Sequence, residues 1–472
     1  MFDKGLVCNR GEIAVRIIRA LRDLGVGSVA AYSTADAGSL AVRLADEAVC
    51  VGPGEASKSY LNVPALLYAC AKTGAQAVHP GYGFLSESAS FAESCAEVGV
   101  EFIGPPAKLI ALMGDKIAAK AAMRDAGVPV LPGSDGALGS AAEAREIADQ
   151  TGYPVVLKAA AGGGGRGIAI VRTPDEVAAA FAATTAAART LFQDDRVYLE
   201  KFVDAARHVE VQVLADGRGN VIHLGERDCS VQRRQQKLVE ETPSPALDDR
   251  QREELLAAAV SGARLIGYAS AGTFEFLVDG ESRPYFIEMN TRLQVEHPVT
   301  EQRTGVDIVA WMIKVAAGEP LTLRQRDVNF SGHAIEVRLN AEDPDRDWAG
   351  SAGRIERLSL PSGPGVRLDT HAEAGYLVPP FYDSLLAKVI VSGETREAAL
   401  RRLDRALAEF ACSPIATNIG FHRRLLADPA FRGGDYRLDI VESVLNRTRS
   451  APQDPTPHQQ HQPAQAKETS HV

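Results

Sequence analysis

Residues 288–301 read Glu288-Met-Asn-Thr-Arg-Leu-Gln-Val-Glu-His-Pro-Val-Thr-Glu301. In an extended strand every second side chain shares a face. The spacing therefore predicts that Glu288, Asn290, Arg292, Gln294 and Glu296 point the same way, with Pro298 limiting the strand. That face carries a carboxylate, an amide oxygen, a guanidinium and a second carboxylate. Hard oxygen ligands followed by a fixed cation suit a magnesium nucleotide and an anionic co-substrate. The plain alternative is a solvated strand of alternating polar residues. Such strands usually carry Lys, Thr and Ser, not long functional groups in succession beside Phe286 and Ile287.

Just upstream, Glu275 sits in Thr-Phe-Glu-Phe-Leu (273–277), and Asp279-Gly-Glu-Ser282 is a turn signal leading into Tyr-Phe-Ile-Glu-Met-Asn (285–290). Two strands joined by so short a turn bring Glu275 and Glu288 together. Carboxylates in apolar surroundings are costly unless paired or metal-bound. With Asn290 they make a hard-oxygen set for Mg2+, whose remaining positions go to water and phosphate. Further upstream, Gly162-Gly-Gly-Gly165-Arg166-Gly167 joins strand-like segments at 155–158 and 167–171. Successive glycines let backbone N–H groups turn toward a phosphate without Cβ interference. The run lacks the Lys-Ser/Thr of a Walker loop and does not open a helix as a dinucleotide fingerprint does. A hinge would read similarly. The position between two strands, with Lys158 just before it, favours a lid over nucleotide phosphates.

Residues 1–113 alternate apolar strands (6–9, 28–32, 76–79, 101–103) with helical stretches, including 11–24, where Ile13, Ile17, Leu21 and Leu24 fall at helical spacing. Such alternation predicts an α/β fold with a doubly wound parallel sheet. Asn9-Arg10-Gly11-Glu12 and His79-Pro80-Gly81-Tyr82-Gly83-Phe84 fall just past strand ends, where open α/β sheets place ligands and where ordinary tight turns also occur. From 114 to 330 come Ala-rich helices (116–126, 141–151), the Gly-loop unit, and strands with a hairpin turn at Asp216-Gly-Arg-Gly219. Residues 131–205 are the expected lid of this part. A mixed α+β segment follows at 331–447, with strands at 333–340 and 387–391 and a helix at 395–410. The tail, 448–472, is rich in Pro, Gln and His with almost no large apolar residues, a disordered composition.

A chain of 472 residues is long enough for two or three domains and a large core. Its net charge of −10, with no basic stripe to offset it, argues against a nucleic-acid partner. Cys8, Cys50, Cys70, Cys95, Cys229 and Cys412 show no Cys-x-x-Cys spacing. They are expected to be buried free thiols in a reducing compartment, not a disulfide framework or zinc site. No signal peptide is visible and no run approaches the ~18 apolar residues of a membrane span. The expectation is a cytoplasmic enzyme without a membrane partner.

Several segments, taken in order, resemble the biotin carboxylase component of biotin-dependent carboxylases, an ATP-grasp family. They are Asn-Arg-Gly-Glu-Ile-Ala (9–14), His-Pro-Gly-Tyr-Gly-Phe-Leu-Ser-Glu (79–87), Met-Gly-Asp-Lys (113–116), the Gly loop, Glu-Arg-Asp-Cys-Ser-Val-Gln-Arg-Arg (226–234) and 288–301. The likeness covers about residues 1–446. It implies a biotin carboxylase N-terminal (pre-ATP-grasp) domain at 1–113, an ATP-grasp domain at 114–330 and a biotin carboxylase C-terminal domain at 331–447.

Residue by residue, the resemblance implies that Lys116, Lys158, Gly164 and Gly165 hold ATP, together with Glu200, Lys201, Phe202, Val203, His208 and Gln232. It implies that Glu275, Glu288 and Asn290 bind Mg2+ or Mn2+. Lys237, Arg292, Gln294, Glu296 and the backbone of Val295 would surround bicarbonate, and Arg338 would face the biotin ring and the developing anion. Glu296 is the expected base, with Lys237, Arg292 and Arg338 also catalytic. One departure stands out: the family's Arg-Arg-His-Gln-Lys is Arg-Arg-Gln-Gln-Lys here, so Gln235 replaces a histidine that contacts the nucleotide. Glutamine keeps hydrogen-bonding capacity but loses the titratable ring. Ala161 also stands where the family often has glycine.

No Ala/Val-Met-Lys-Met biotinylation motif occurs in the sequence. The resemblance therefore implies biotin on a separate carrier protein, separate carboxyltransferase subunits and a homodimer. An acyl-CoA acceptor, acetyl-CoA first and with it fatty acid synthesis, is the leading expectation. Urea, a cyclic amide or a 2-oxo acid remain open, as do another ATP-grasp ligase and a non-catalytic nucleotide-binding subunit.

Overall fold

The computed structural model describes residues 1–162 and 166–450. Lys4–Val7, Gly27–Ser33, Glu47–Gly52, Ala77–His79 and Glu101–Phe102 form one parallel sheet in which Lys4–Val7 lies between Gly27–Ser33 and Ala77–His79. Strand order reverses at that central pair, the switch point where doubly wound sheets open a crevice. The two loops that leave these strands grip each other: Asn9 Nδ2 donates to Pro80 O at 2.6 Å and Tyr82 O at 2.7 Å. Gly81 adopts φ +64°, and a Cβ there would meet Asn9 and Ile13 at 3.0 Å, so this turn has room only for glycine. Helix Gly11–Asp23 buries Ile13, Ile17 and Leu21 as its spacing predicted. Sequence reading missed the strand Glu47–Gly52, an edge strand with only Val49 and Val51 buried.

The rest of the chain is organised by an antiparallel sheet. Its strands run in the order Pro284–Asn290, Ala269–Val278, Arg207–Asp216, Val221–Arg233, Gln236–Thr242, His333–Asn340, Leu385–Gly393 and Val366–Thr370. Strands from either side of residue 330 thus pair directly, with Glu241 opposite Ile335 and Val239 opposite Val337. One row across this sheet is polar. Glu288 opposes Glu275, Glu275 opposes Glu210, and Glu210 opposes Arg227.

A small three-stranded antiparallel sheet, Ile168–Val171, Val155–Ala159 and Val197–Lys201, carries helices Ala141–Thr151 and Val177–Phe192 around its own apolar core. It lies where the lid was expected. Residues 163–165, and with them the expected phosphate contacts Gly164 and Gly165, lie outside the described residues, as does the tail from 451. Cys8, Cys70, Cys95 and Cys229 are buried free thiols, but Cys412 is half-buried and Cys50 is exposed on the edge strand, against expectation. Among the described residues no helix is long and apolar enough to cross a membrane.

Candidate active site

The single strand face expected across 288–296 does not form. The strand that carries Glu288 ends at Asn290, and the chain then turns irregularly before helix His297–Thr304. Thr291 N–H leaves the ladder to donate to Glu87 Oε1 at 3.0 Å. Pro298 does not end a strand; it occupies the first turn of the helix, where its missing N–H costs nothing. Arg292, Gln294 and Glu296 therefore share no strand face with Glu288. They converge nonetheless, because the turn folds them back over one cavity of about 1070 Å3.

That cavity is also lined by Lys116, Lys158, Lys201, Phe202, Val203, His208, Gln232, Gln235, Lys237, Glu275, Asn290, Val295 and Arg338. Of the expected site residues among those described, only Glu200 is absent from its lining. It sits just behind, accepting from Lys158 Nζ at 2.7 Å and lying 3.2 Å from Lys120 Nζ. Lys116 pairs with Glu288. Lys201 Nζ donates to Gly152 O and Tyr153 O at 2.9 and 3.0 Å, joining its strand to the turn before Val155–Ala159. Gln235 follows Arg234 at the tip of a two-residue hairpin, both at positive φ (65° and 48°), the conformation that suits the twist of the flanking strands. Gln232 Nε2 meets His208 Nδ1 at 3.1 Å.

Lys237 is the electrostatic hub. Its Nζ donates to Glu210 and Glu296, each at 2.5 Å, and to Glu275 at 3.1 Å. Burial pulls this ammonium down, but Glu210, Glu275 and Glu296 outweigh it and hold the group well above its usual value. Glu296 shows the converse. Burial pushes its carboxyl up, while Lys237, Arg338 and Arg227 more than offset this and hold it far below the carboxylate range. Its Oε2 accepts from Arg338 Nη2 at 3.0 Å. Arg292 Nη2 donates to Asn290 Oδ1 at 2.8 Å and its Nε to Glu87 Oε2 at 3.0 Å.

Glu275, Glu288 and Asn290 meet as expected. Asn290 Nδ2 and Gln294 Nε2 both donate to Glu275 Oε1, at 2.8 and 2.7 Å, and His208 Nε2 lies 3.0 Å from Glu275 Oε2. Opposed carboxylates beside an amide oxygen are hard donors of the kind Mg2+ and Mn2+ take, and the cations now drawn onto them (Lys116, Lys237) show how much positive charge the position attracts. The residues fit a divalent ion.

Two features escaped sequence reading. Arg227 is fully buried and fans out beneath the site, donating to Glu210 (2.5 Å), Gln212 (2.8 Å), Thr300 (3.0 Å), Thr273 (3.2 Å) and Gln294 (2.8 Å). Lys388, also fully buried, donates to Val295 O at 2.9 Å and pairs with Glu12 at 3.0 Å. It fixes the peptide of the expected bicarbonate loop to the first helix, Gly11–Asp23. Oppositely charged residues at alternate positions of neighbouring strands were the available signal.

Comparison with known proteins agrees with this geometry. Residues 1–110 match the family model for the biotin carboxylase N-terminal domain, 115–324 that for the carbamoyl-phosphate synthase L chain ATP-binding domain, and 336–443 that for the biotin carboxylase C-terminal domain. The chain is 52% identical over 443 residues to a biotin carboxylase of Nostoc sp., covering 94% of this chain and 99% of that one. It is 49% identical over 442 residues to a pyruvate carboxylase component of Methanothermobacter thermautotrophicus, covering 94% and 90%. The biotin carboxylase domain dimer of Hydrogenobacter thermophilus 2-oxoglutarate carboxylase, solved with MgADP, ADP and bicarbonate, superposes with a TM-score of 0.90 at 48% identity, covering 94% of this chain and 98% of that one.

Proposed function

The chain belongs to the biotin carboxylase family, and on that premise we propose how its residues divide the work. It is an ATP-dependent ligase that carboxylates biotin. In our reading Glu296 takes the proton of bicarbonate, and the freed oxygen attacks the γ-phosphorus of ATP, breaking the bond to ADP and giving carboxyphosphate. Carboxyphosphate falls apart into CO2 and phosphate. The phosphate takes the N1′ proton of biotin, and the resulting anion forms the new N–C bond to CO2.

The observation that carries this reading is the clamp on Glu296 by Lys237 and Arg338. It keeps the carboxylate ionised and ready to accept a proton. Once bicarbonate draws those cations to itself, their hold on Glu296 weakens and its basicity rises toward the useful range. Arg292, braced by Glu87 and Asn290, presents a planar fork to the bicarbonate oxygens, a task a lysine point charge performs poorly. Arg338 serves the ring anion of biotin. Lys116, Lys158, His208, Gln232 and Gln235 would hold the nucleotide with Lys201, Phe202 and Val203, and Glu200 would brace Lys158 from behind. Glu275, Glu288 and Asn290 would hold Mg2+, which when bound neutralises charge on the phosphoryl oxygens. Positioning and electrostatics do most of the work in such transfers.

The test is ATP hydrolysis by the purified protein with Mg2+ and bicarbonate, with and without free biotin. Bicarbonate-dependent turnover that biotin stimulates and Glu296→Ala abolishes is the expected result. Tight ATP binding without bicarbonate dependence would point instead to another ATP-grasp ligase.

The biotin would arrive on a separate carrier protein and leave for a separate carboxyltransferase, with this chain working in the cytoplasm as a homodimer. Domains at 1–113, 114–330 and 331–447 are the proposed division, with 131–205 as a hinged lid that opens to admit ATP. We read the final acceptor as an acyl-CoA, acetyl-CoA first. A 2-oxo acid is the second reading, favoured by the comparable likeness to pyruvate and 2-oxoglutarate carboxylase components. Isolating the carrier and transferase that co-purify with the chain, then assaying both acceptors, decides between them.

A further inference from the structure

Glu240 on Gln236–Thr242 stands directly opposite Glu336 on His333–Asn340. Opposed residues of paired strands hold their Cβ atoms ~4.5–5.5 Å apart. Both side chains are fully buried. Glu240 Oε1 accepts from Arg338 Nε at 2.7 Å, but Glu240 Oε2 and both oxygens of Glu336 have no hydrogen-bond partner. Two bare carboxylates so placed are untenable, because like charges repel and buried acceptors without donors are costly.

The surrounding charges do not relieve them. On the strand of Glu336 itself lies Arg338, already shared between Glu240 and Glu296. From Gln236–Thr242 comes Lys237, committed to Glu210, Glu275 and Glu296. From Leu385–Gly393 comes Lys388, committed to Glu12 of the first helix and to Val295 O, with Asp369 of Val366–Thr370 at 3.8 Å. Helix His297–Thr304, packed on the same strand, adds His297 and Glu301, and Glu301 is bound by Arg16 and Arg367. Burial lifts Glu336 well above the carboxylate range against the pull of Lys388, and the charge of Glu240 adds to the rise. A single proton on Glu336, donated to Glu240 Oε2, would remove the repulsion and give Glu240 the donor it lacks.

We infer that Glu336 is a positioning residue for biotin carboxylation: as a carboxylic acid donating to Glu240 Oε2, it fixes Glu240 in the orientation that holds Arg338 between Glu296 and the cavity. The chain of contacts runs from acid to carboxylate to guanidinium. When the shared proton is lost at alkaline pH, the pair carries two charges, and the guanidinium is drawn toward it and away from the ring anion. This rests on the assignment of Arg338 to biotin.

The experiment measures kcat and KM for free biotin, and KM for ATP, across about pH 6 to 10 in wild type, Glu336→Gln, Glu336→Leu and Arg338→Gln. Glutamine can donate to Glu240 but cannot lose the hydrogen, so wild type should fall in kcat at alkaline pH and E336Q should not. E336L leaves Glu240 Oε2 bare and should lose about ten- to hundredfold in biotin-dependent kcat with KM for ATP within about twofold. Superposable wild-type and E336Q profiles, or a folded E336L with wild-type biotin turnover, overturn the inference. If E336L does not fold, the E336Q profile and the infrared carboxylic-acid band of the wild-type protein still decide it. That band must persist at neutral pH and vanish in E336Q. If R338Q retains biotin turnover, the fault lies in the assignment of Arg338 and not in the pairing of Glu240 with Glu336.

Discussion

Arg227→Lys is the substitution that separates charge from geometry beneath the site. The positive charge survives, so the pair with Glu210 can persist. The guanidinium, however, makes hydrogen bonds to Glu210, Gln212, Thr300, Thr273 and Gln294. An ammonium has three donors where a guanidinium has five, and it has no planar fork. At least two of the five acceptors therefore lose their donor inside a fully buried layer. At ~1–3 kcal/mol for each such loss, the variant should be destabilised by about 2–6 kcal/mol. The kinetic consequence follows from Gln294, which Arg227 orients at 2.8 Å so that its amide donates to Glu275 at 2.7 Å. Freed from Arg227, that side chain stops bracing the end of the cavity proposed to take bicarbonate. Urea unfolding followed by circular dichroism, beside steady-state ATP hydrolysis with varied bicarbonate, is the assay. The midpoint should fall and KM for bicarbonate rise, with KM for ATP moving least. A variant whose unfolding curve overlays wild type would refute the claim that the fan of hydrogen bonds, and not the charge alone, holds this layer.

Two further outcomes follow from the same structure. Buried Glu241 accepts from Arg396 at 2.7 and 2.9 Å, from Tyr436 Oη at 2.6 Å and lies 2.6 Å from His333 Nε2. Burial raises its carboxyl, but the hydrogen bonds from His333 and Arg396 win and hold it at about 2. Because the folded value is depressed, the stabilisation is fully present above the unfolded value of ~4.3 and is lost as pH falls toward 2, about 3 kcal/mol in all. Glu241→Gln should thus unfold more easily at neutral pH and show a flatter acid limb in urea titrations; parallel acid limbs would contradict it. Glu288→Gln removes one of the hard-oxygen donors opposite Glu275, so Mn2+ bound in the presence of ADP, followed by electron paramagnetic resonance, should weaken by about tenfold or more. Unchanged Mn2+ affinity would take Glu288 out of the ligand set.

What the sequence disclosed and what it hid have a common physical origin. The meeting of Glu275 and Glu288 was legible because a short turn joins two strands of clear alternation, and pairing then has little freedom. The parallel order of the first sheet was legible from strand–helix alternation in the same way. Alternate residues of 288–296 do converge on one cavity, but not on the strand face that their spacing predicted. Period-two spacing cannot foresee that the chain leaves the sheet at Thr291 for a contact with Glu87, 204 residues away in sequence. Cys50 was misjudged because burial of a cysteine on an edge strand depends on what covers the edge.

The larger omission is the ionic layer in which the fully buried Glu210, Arg227, Glu240, Glu336 and Lys388 back Lys237 and Arg338 at the cavity wall. Glu210, Glu336 and Arg338 each stand between Val, Leu or Ile, the pattern of a sheet with one wet face, whereas Arg227 lies between Glu226 and Asp228. That face is dry here because the 291–296 turn and helix His297–Thr304 lie over it, and covering of that kind is a tertiary fact. A charged layer in this position is costly, since pairs buried in proteins rarely repay their desolvation. Its retention beneath the cavity is intelligible only if the charges act outward. Lys237 and Arg338 are shared between scaffold carboxylates and Glu296, so any anion entering the cavity competes for cations that are already held in place. The scaffold then sets both where those cations sit and how readily they turn to the substrate, which is why substitutions in the layer should alter bicarbonate and biotin kinetics more than nucleotide binding.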